Sequence, residues 1–214
     1  MFWKKKVKSP QAKVEKSPDG TESYFIKLVL MGDGAVGKTS LRRNYLGLGF
    51  TTEHMMTIGA DFAASDKQFE FETEGGGTKK FKVTFQIWDL AGQSTFTNVR
   101  SMYYKGCLGA LLVFDRTRPT SFQNMDSWIE EMHKHNKRGK IPLILLGNKA
   151  DLVEEAKEVV PQSDVDAYLK EVNQKFSTDK FNIEYYDTSA LTGKNVEKAF
   201  ETLAHNIMKN LDAI

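Results

Sequence analysis

The sequence predicts an α/β domain: a six-stranded, mostly parallel sheet with one antiparallel edge strand, flanked by helices. Three observations lead there. Short apolar runs alternate with stretches of helical periodicity, two strand-like runs flank a glycine triplet, and a glycine-rich loop links the first run to a helix. The apolar runs are 24–31, 83–88, 108–114, 141–147 and 182–187. Between them Phe122, Met125, Ile129 and Met132 recur at helical spacing, as do Val165, Leu169, Val172 and Phe176, and then Val196, Phe200, Leu203 and Ile207. Their apolar stripes read as core, and Pro161 with Ser163 suits a helix entrance. Segment 60–88 reads as an antiparallel hairpin at the sheet edge, with Gly75, Gly76 and Gly77 at its tip.

The 214 residues suffice for one well-buried domain. We divide them into a disordered basic tail, 1–22, and a folded domain, 23–214. The tail holds Pro10, Pro18 and little apolar content after Trp3, and its six lysines outnumber three acids for a charge of +3. A formal net charge of +2 for the whole chain argues against nucleic-acid binding. No run of about 18 apolar residues exists and no secretory signal opens the chain, so a cytoplasmic protein is expected. Cys107, the single cysteine, precedes an apolar run and reads as a small buried thiol.

Four motifs carry chemistry. Gly32-Asp33-Gly34-Ala35-Val36-Gly37-Lys38-Thr39 follows the first strand and opens a helix that continues through Ser40. Its glycines let backbone N–H groups approach phosphates, Lys38 reaches the β- and γ-phosphates, and Thr39 offers a hydroxyl to Mg²⁺. Asp89-Leu90-Ala91-Gly92 ends a second strand, as another magnesium site should, and the Gly92 N–H can approach the γ-phosphate. Asn148-Lys149-Ala150-Asp151 ends a third. There Asp151 can accept from N1–H and the N2 amino group of guanine together, Lys149 can lay its stem over the base, and Asn148 can tie this loop to the phosphate loop. Adenine would leave that carboxylate unpaired, a loss that supports discrimination of about 10⁴-fold. Thr188-Ser189-Ala190 closes the fifth run, where the Ala190 N–H can meet the guanine O6.

In order and spacing these motifs resemble the small GTPases of the Ras superfamily over about residues 23–210. Thr57-Ile58-Gly59-Ala60-Asp61-Phe62, Trp88-Asp89-Leu90-Ala91-Gly92-Gln93 and Tyr103-Tyr104-Lys105-Gly106 look most like Rab proteins. The resemblance implies a P-loop G domain that binds GTP and GDP with Mg²⁺ and hydrolyses GTP slowly. It makes Thr57 the threonine that meets Mg²⁺ and the γ-phosphate in the GTP state, Phe50 the aromatic residue edge-on to guanine, and Gln93 the residue that orients the attacking water. It also implies an exchange factor, an activating protein and effectors acting through 50–62 and 89–105, with Gly34 leaving room for an activating arginine. A pseudo-GTPase binding module is the alternative.

Departures accompany the matches. Ser94 and Leu90 alter the second switch, Leu191 stands where many relatives carry lysine, and 32 positions separate Thr57 from Asp89, more than the family norm. The chain ends without cysteine, so C-terminal prenylation is not expected; truncation and an archaeal relative of Rab proteins both fit. The start Met-Phe-Trp-Lys-Lys-Lys offers weak membrane contact instead, each lysine contributing about 1 kcal/mol at an anionic surface, against the alternative of a solvated tail.

Overall fold

The computed structural model describes residues 14–17, 21–51, 56–73 and 75–214. Thirteen elements other than 3₁₀ turns follow in the order β1 (Val14–Lys16), β2 (Glu22–Met31), α1 (Lys38–Tyr45), β3 (Ala60–Glu72), β4 (Thr78–Leu90), α2 (Thr97–Tyr104), β5 (Gly109–Asp115), α3 (Pro119–Gln123), α4 (Met125–Asn136), β6 (Leu143–Asn148), α5 (Gln162–Phe176), β7 (Glu184–Asp187) and α6 (Val196–Asn210). The sheet order is β3-β4-β2-β5-β6-β7, all parallel except β3, which pairs antiparallel with β4 at the edge. This is the expected P-loop α/β architecture with one strand more among the described residues.

The additional strand is β1. Strand β5 pairs with β2 only from Leu28 to Met31, so the earlier part of that β2 edge has unpaired backbone groups. Residues 14–16 take it up antiparallel to Glu22–Tyr24, and Lys16 meets Glu22 at 3.1 Å. Part of the segment expected as a disordered tail is therefore sheet. The aromatic-lysine start of that tail lies outside the described residues.

Alternation along β2 divides the core. Ile26, Leu28 and Leu30 pack on α1 and α6, whereas Val29 and Met31 face α2, α4 and α5. Strand β6 does the same with Ile144 and Leu146 against Leu143 and Leu145. Both faces are covered, which is why these strands read as continuous apolar runs. The stripes at 165–176 and 196–207 form α5 and α6. The stripe from Phe122 to Met132 is broken instead at Asn124, which ends α3 and begins α4. The hairpin at 60–88 forms around Gly75 and Gly76 and extends to Leu90. Cys107 is fully buried, and that burial pushes its thiol up to about 12.

Candidate functional site

The carboxyl ends of the parallel strands meet at one edge, and every sequence motif leaves the sheet there. After β2 the chain crosses the glycine loop into α1, whose first turn has no capping side chain. Its N–H groups are thus free to serve an anion, reinforced by the helix dipole. Two positions accept only glycine. A Cβ at Gly32 (φ 135°) would stand 2.0 Å from the Val113 carbonyl oxygen, and one at Gly37 (φ 96°) would stand 2.3 Å from Asn148 Nδ2.

Lys38 is only 6 % exposed, and its Nζ donates to the Gly32 and Asp33 carbonyls at 2.7 Å each. Burial pushes the ammonium down to about 8 despite the nearby carboxylates of Asp89 and Asp33. Thr39 Oγ1 donates to Asp89 Oδ2 and lies 3.1 Å from Thr57 Oγ1. Three oxygen-bearing side chains from α1, β4 and the segment before β3 therefore converge beside the lysine. Asp89 is fully buried, which pushes its carboxyl upward, and among the described residues its Oδ1 has no partner. A donor set of one carboxylate and two hydroxyls suits a small hard cation, and the orphaned Oδ1 is a lone pair such a cation would satisfy.

Gly92 packs on the phosphate loop so closely that a Cβ would fall 2.2 Å from the Gly34 N. Next to it, Gln93 Nε2 donates to Met56 Sδ at 3.2 Å, joining the two segments expected to switch. Arg100 secures the second of these through the Ala91 and Gln93 carbonyls and a bidentate pairing with Glu131. Met56, Ile58, Phe62 and Met102 are exposed around this junction, and Phe62, Trp88 and Tyr103 pack in series, tilted to one another, with centroids 4.9 and 5.0 Å apart.

At the far end Asn148 ties three segments. Its Nδ2 donates to the Val36 carbonyl at 2.8 Å, and its Oδ1 accepts from Thr188 Oγ1 and the Ala190 N–H. The expected link between loops is present, while the Ala190 N–H is engaged with Asn148 rather than facing outward. Lys149, at φ 63°, pairs with the buried Asp115 carboxylate at 2.7 Å. Asp151, Phe50 and Leu191 are exposed at the mouth.

A single cavity of about 700 Å³ gathers these residues, within the size range of small-molecule sites. All of the expected site residues line it except Gly32, Asp33, Val36, Asp89 and Ser189. Gly32 and Val36 hold the loop from below, and Asp89 sits beneath Thr39. Ser189 is buried, and its Oγ accepts the Thr192 N–H. Asp33 turns its carboxylate away, to Trp128 Nε1 and Asn124 Nδ2 at 2.8 Å each. Sequence reasoning missed Arg42, whose guanidinium meets Asp61 at the rim, and Arg118, whose Nη2 donates to the Gly34 carbonyl at 2.7 Å. Arg118 lies just past the end of β5, so the rule that ligands bind at strand carboxyl ends points to it.

The comparisons agree with this geometry. The Ras family model matches residues 27–209. The chain is similar to the Ras-related protein Rab-27B of Bos taurus, 37 % identical over 200 residues that cover 91 % of this chain and 84 % of that protein. Rab-27B of Homo sapiens is 35 % identical over 198 residues, with the same coverage. The Ras-related protein RABA2a of Arabidopsis thaliana is 37 % identical over 192 residues, 90 % of this chain and 79 % of that relative. With the phosphate loop, the strand-end motifs and the sheet order all in place, the chain belongs to the Ras family of small GTPases and is Rab-like within it.

Proposed function

We propose that the protein is a guanine-nucleotide switch that binds GTP and GDP with Mg²⁺ and hydrolyses GTP slowly. The observation that carries this reading is the convergence of Thr39, Thr57 and the unsatisfied Asp89 carboxylate beside Lys38. Those three residues would hold Mg²⁺, which supplies neutralising charge to the phosphates when bound. The N–H groups at the start of α1 and the Lys38 ammonium bind and orient the phosphate chain. Buried as it is, Lys38 interacts strongly with any anion placed beside it. Gln93, facing Met56 across the cavity, orients the attacking water, and Asp151 selects guanine. The space at Gly34, where a Cβ would meet nothing within 4 Å, admits an activating partner's arginine.

Because Thr57 and Gln93 come from different switch segments, loss of the γ-phosphate releases both. The exposed Met56, Ile58, Phe62 and Met102 support docking of exchange factors, activating proteins and effectors on that face, since grouped exposed apolar side chains mark interaction surfaces. A role in membrane traffic rests on the Rab-like character alone. Among the described residues no helix is long and apolar enough to cross a membrane. We assign the protein to the cytoplasm, with peripheral contact through its first residues; deletion of 1–20 should abolish sedimentation with anionic liposomes.

The central test is single-turnover GTP hydrolysis with wild type and Gln93→Leu. The variant should retain GTP affinity and lose at least 10-fold in rate. Equal rates would remove Gln93 from the mechanism, and GTP binding without hydrolysis by wild type would favour the non-hydrolysing module. Displacement of bound GTP by equimolar ATP would overturn the reading of Asp151.

A further inference from the structure

A second cavity, of about 610 Å³, lies behind the phosphate loop, bordered by Asp33, Gly34, Gly92, Arg118 and Trp128. Arg118 reaches the loop from the turn between β5 and α3, and its Nη2 donates to the Gly34 carbonyl at 2.7 Å. The loop is gripped on the same side by Trp128 and Asn124 through the Asp33 carboxylate. Around the site Arg42, Arg100 and Arg116 each meet a carboxylate, of Asp61, Glu131 and Asp187 respectively. Arg43 and Arg118 are different, and Arg43 turns to the Leu48 carbonyl. Among the described residues no acidic side chain pairs with Arg118, and its guanidinium donates to the phosphate-loop carbonyl. Its positive charge is therefore held, half-buried and with no acidic partner among the described residues, beside Gly34, which with Gly92 borders the nucleotide cavity as well.

We propose that Arg118 is an arginine supplied by the chain itself for GTP hydrolysis, stabilising the charge that develops on the γ-phosphoryl group. This rests on the hydrolase reading above. In the step it serves, the water oxygen bonds to the γ-phosphorus while the bond from that phosphorus to the β–γ bridging oxygen breaks. The electron pair stays on GDP, one water proton ends on the released phosphate and the other passes to solvent. A guanidinium can keep one N–H on the Gly34 carbonyl and direct others at phosphoryl oxygens, whereas a lysine offers a single point of charge. An arginine in cis raises turnover from about 10⁻⁴ to about 10⁻² s⁻¹ in the GTPases that carry one. Gly34 has no side chain to obstruct the approach.

The test compares wild type, Arg118→Ala, Arg118→Lys and Gln93→Leu, each loaded with GTP and followed through one turnover without any partner. Both Arg118 variants should slow about 10- to 100-fold while their GDP dissociation constants stay within about threefold of wild type. In parallel, wild type mixed with GDP, Mg²⁺ and aluminium fluoride, a mimic of the transferring phosphoryl group, should trap the complex; Arg118→Ala should not. Unchanged rates in Arg118→Ala beside a slowed Gln93→Leu would overturn the proposal alone. Parallel loss of GDP affinity and rate would also overturn it, leaving Arg118 a support for the loop. Wild type that binds GTP and never hydrolyses it would instead sink the underlying reading, and the proposal with it.

Discussion

At the residue scale, the site stores electrostatic cost in Lys38. Its ammonium titrates at about 8 in the folded chain against an ordinary 10.5, because burial strips it of water. Below pH 8 both folded and unfolded forms carry the proton, and the folded state bears the full penalty, about 3 kcal/mol. Between pH 8 and 10.5 the unfolded chain binds more protons, so stability rises with pH over that window. Urea unfolding of the nucleotide-free protein should show wild type gaining on Lys38→Met from pH 8 to 10.5; a constant difference would contradict the burial argument. Much of this site was legible one residue at a time. Gly32, Gly37 and Lys38 belong to a local pattern whose spacing already fixes the chemistry, and Thr57 and Asp89 came within reach through their motifs. The partners of Asp33 and the reach of Arg118 were not legible, since both depend on how α4 and the β5–α3 turn pack behind the loop.

At the element scale, α6 closes one face of the sheet chiefly through Phe200. That ring stacks on Tyr45 of α1 with centroids 3.7 Å apart and planes 7° from parallel, and meets Phe85 of β4 edge-on at 6.5 Å. Phe200→Ala should cost about 3–5 kcal/mol in urea unfolding, and because Tyr45 ends the helix begun by the phosphate loop, GDP should dissociate faster. A loss below about 1 kcal/mol would show that the face repacks. Helices α5 and α6 announce themselves because their apolar stripes repeat for three or more turns. Helix α2 and strand β1 do not. The first spans Thr97–Tyr104 with few buried positions, and the second is three residues whose pairing depends on an edge left open by the distant strand β5.

At the scale of the whole molecule, the proposed nucleotide site joins segments from α1, β4, β6 and the loop after β7, so a bound nucleotide should stabilise the fold by mass action. GDP with Mg²⁺ at 100 times its dissociation constant adds about 2.7 kcal/mol, or roughly 5–10 °C in melting temperature for a domain of this size. Chelation of the metal should remove most of that gain. An equal gain from ATP, or none lost to chelator, would count against the assignment. The mostly parallel sheet and its edge hairpin followed from alternation and the glycine turn, whereas the strand order comes from the structure alone. The extra length of the hairpin was visible as a count of residues, whereas the bond from its Lys79 to the Ala213 carbonyl at 3.1 Å was not.

The hold of Trp128 on Asp33 also gives the protein an optical voice. The indole N–H is bonded directly to the phosphate loop, and Arg100 lies 4.4 Å from the ring centroid, so both a hydrogen bond and a nearby cation colour its excited state. Any rearrangement of that loop or of the second switch alters one of them. Exchange of GDP for GTP should therefore be readable in native tryptophan emission without a label, and Trp128→Phe should silence the larger part of the signal.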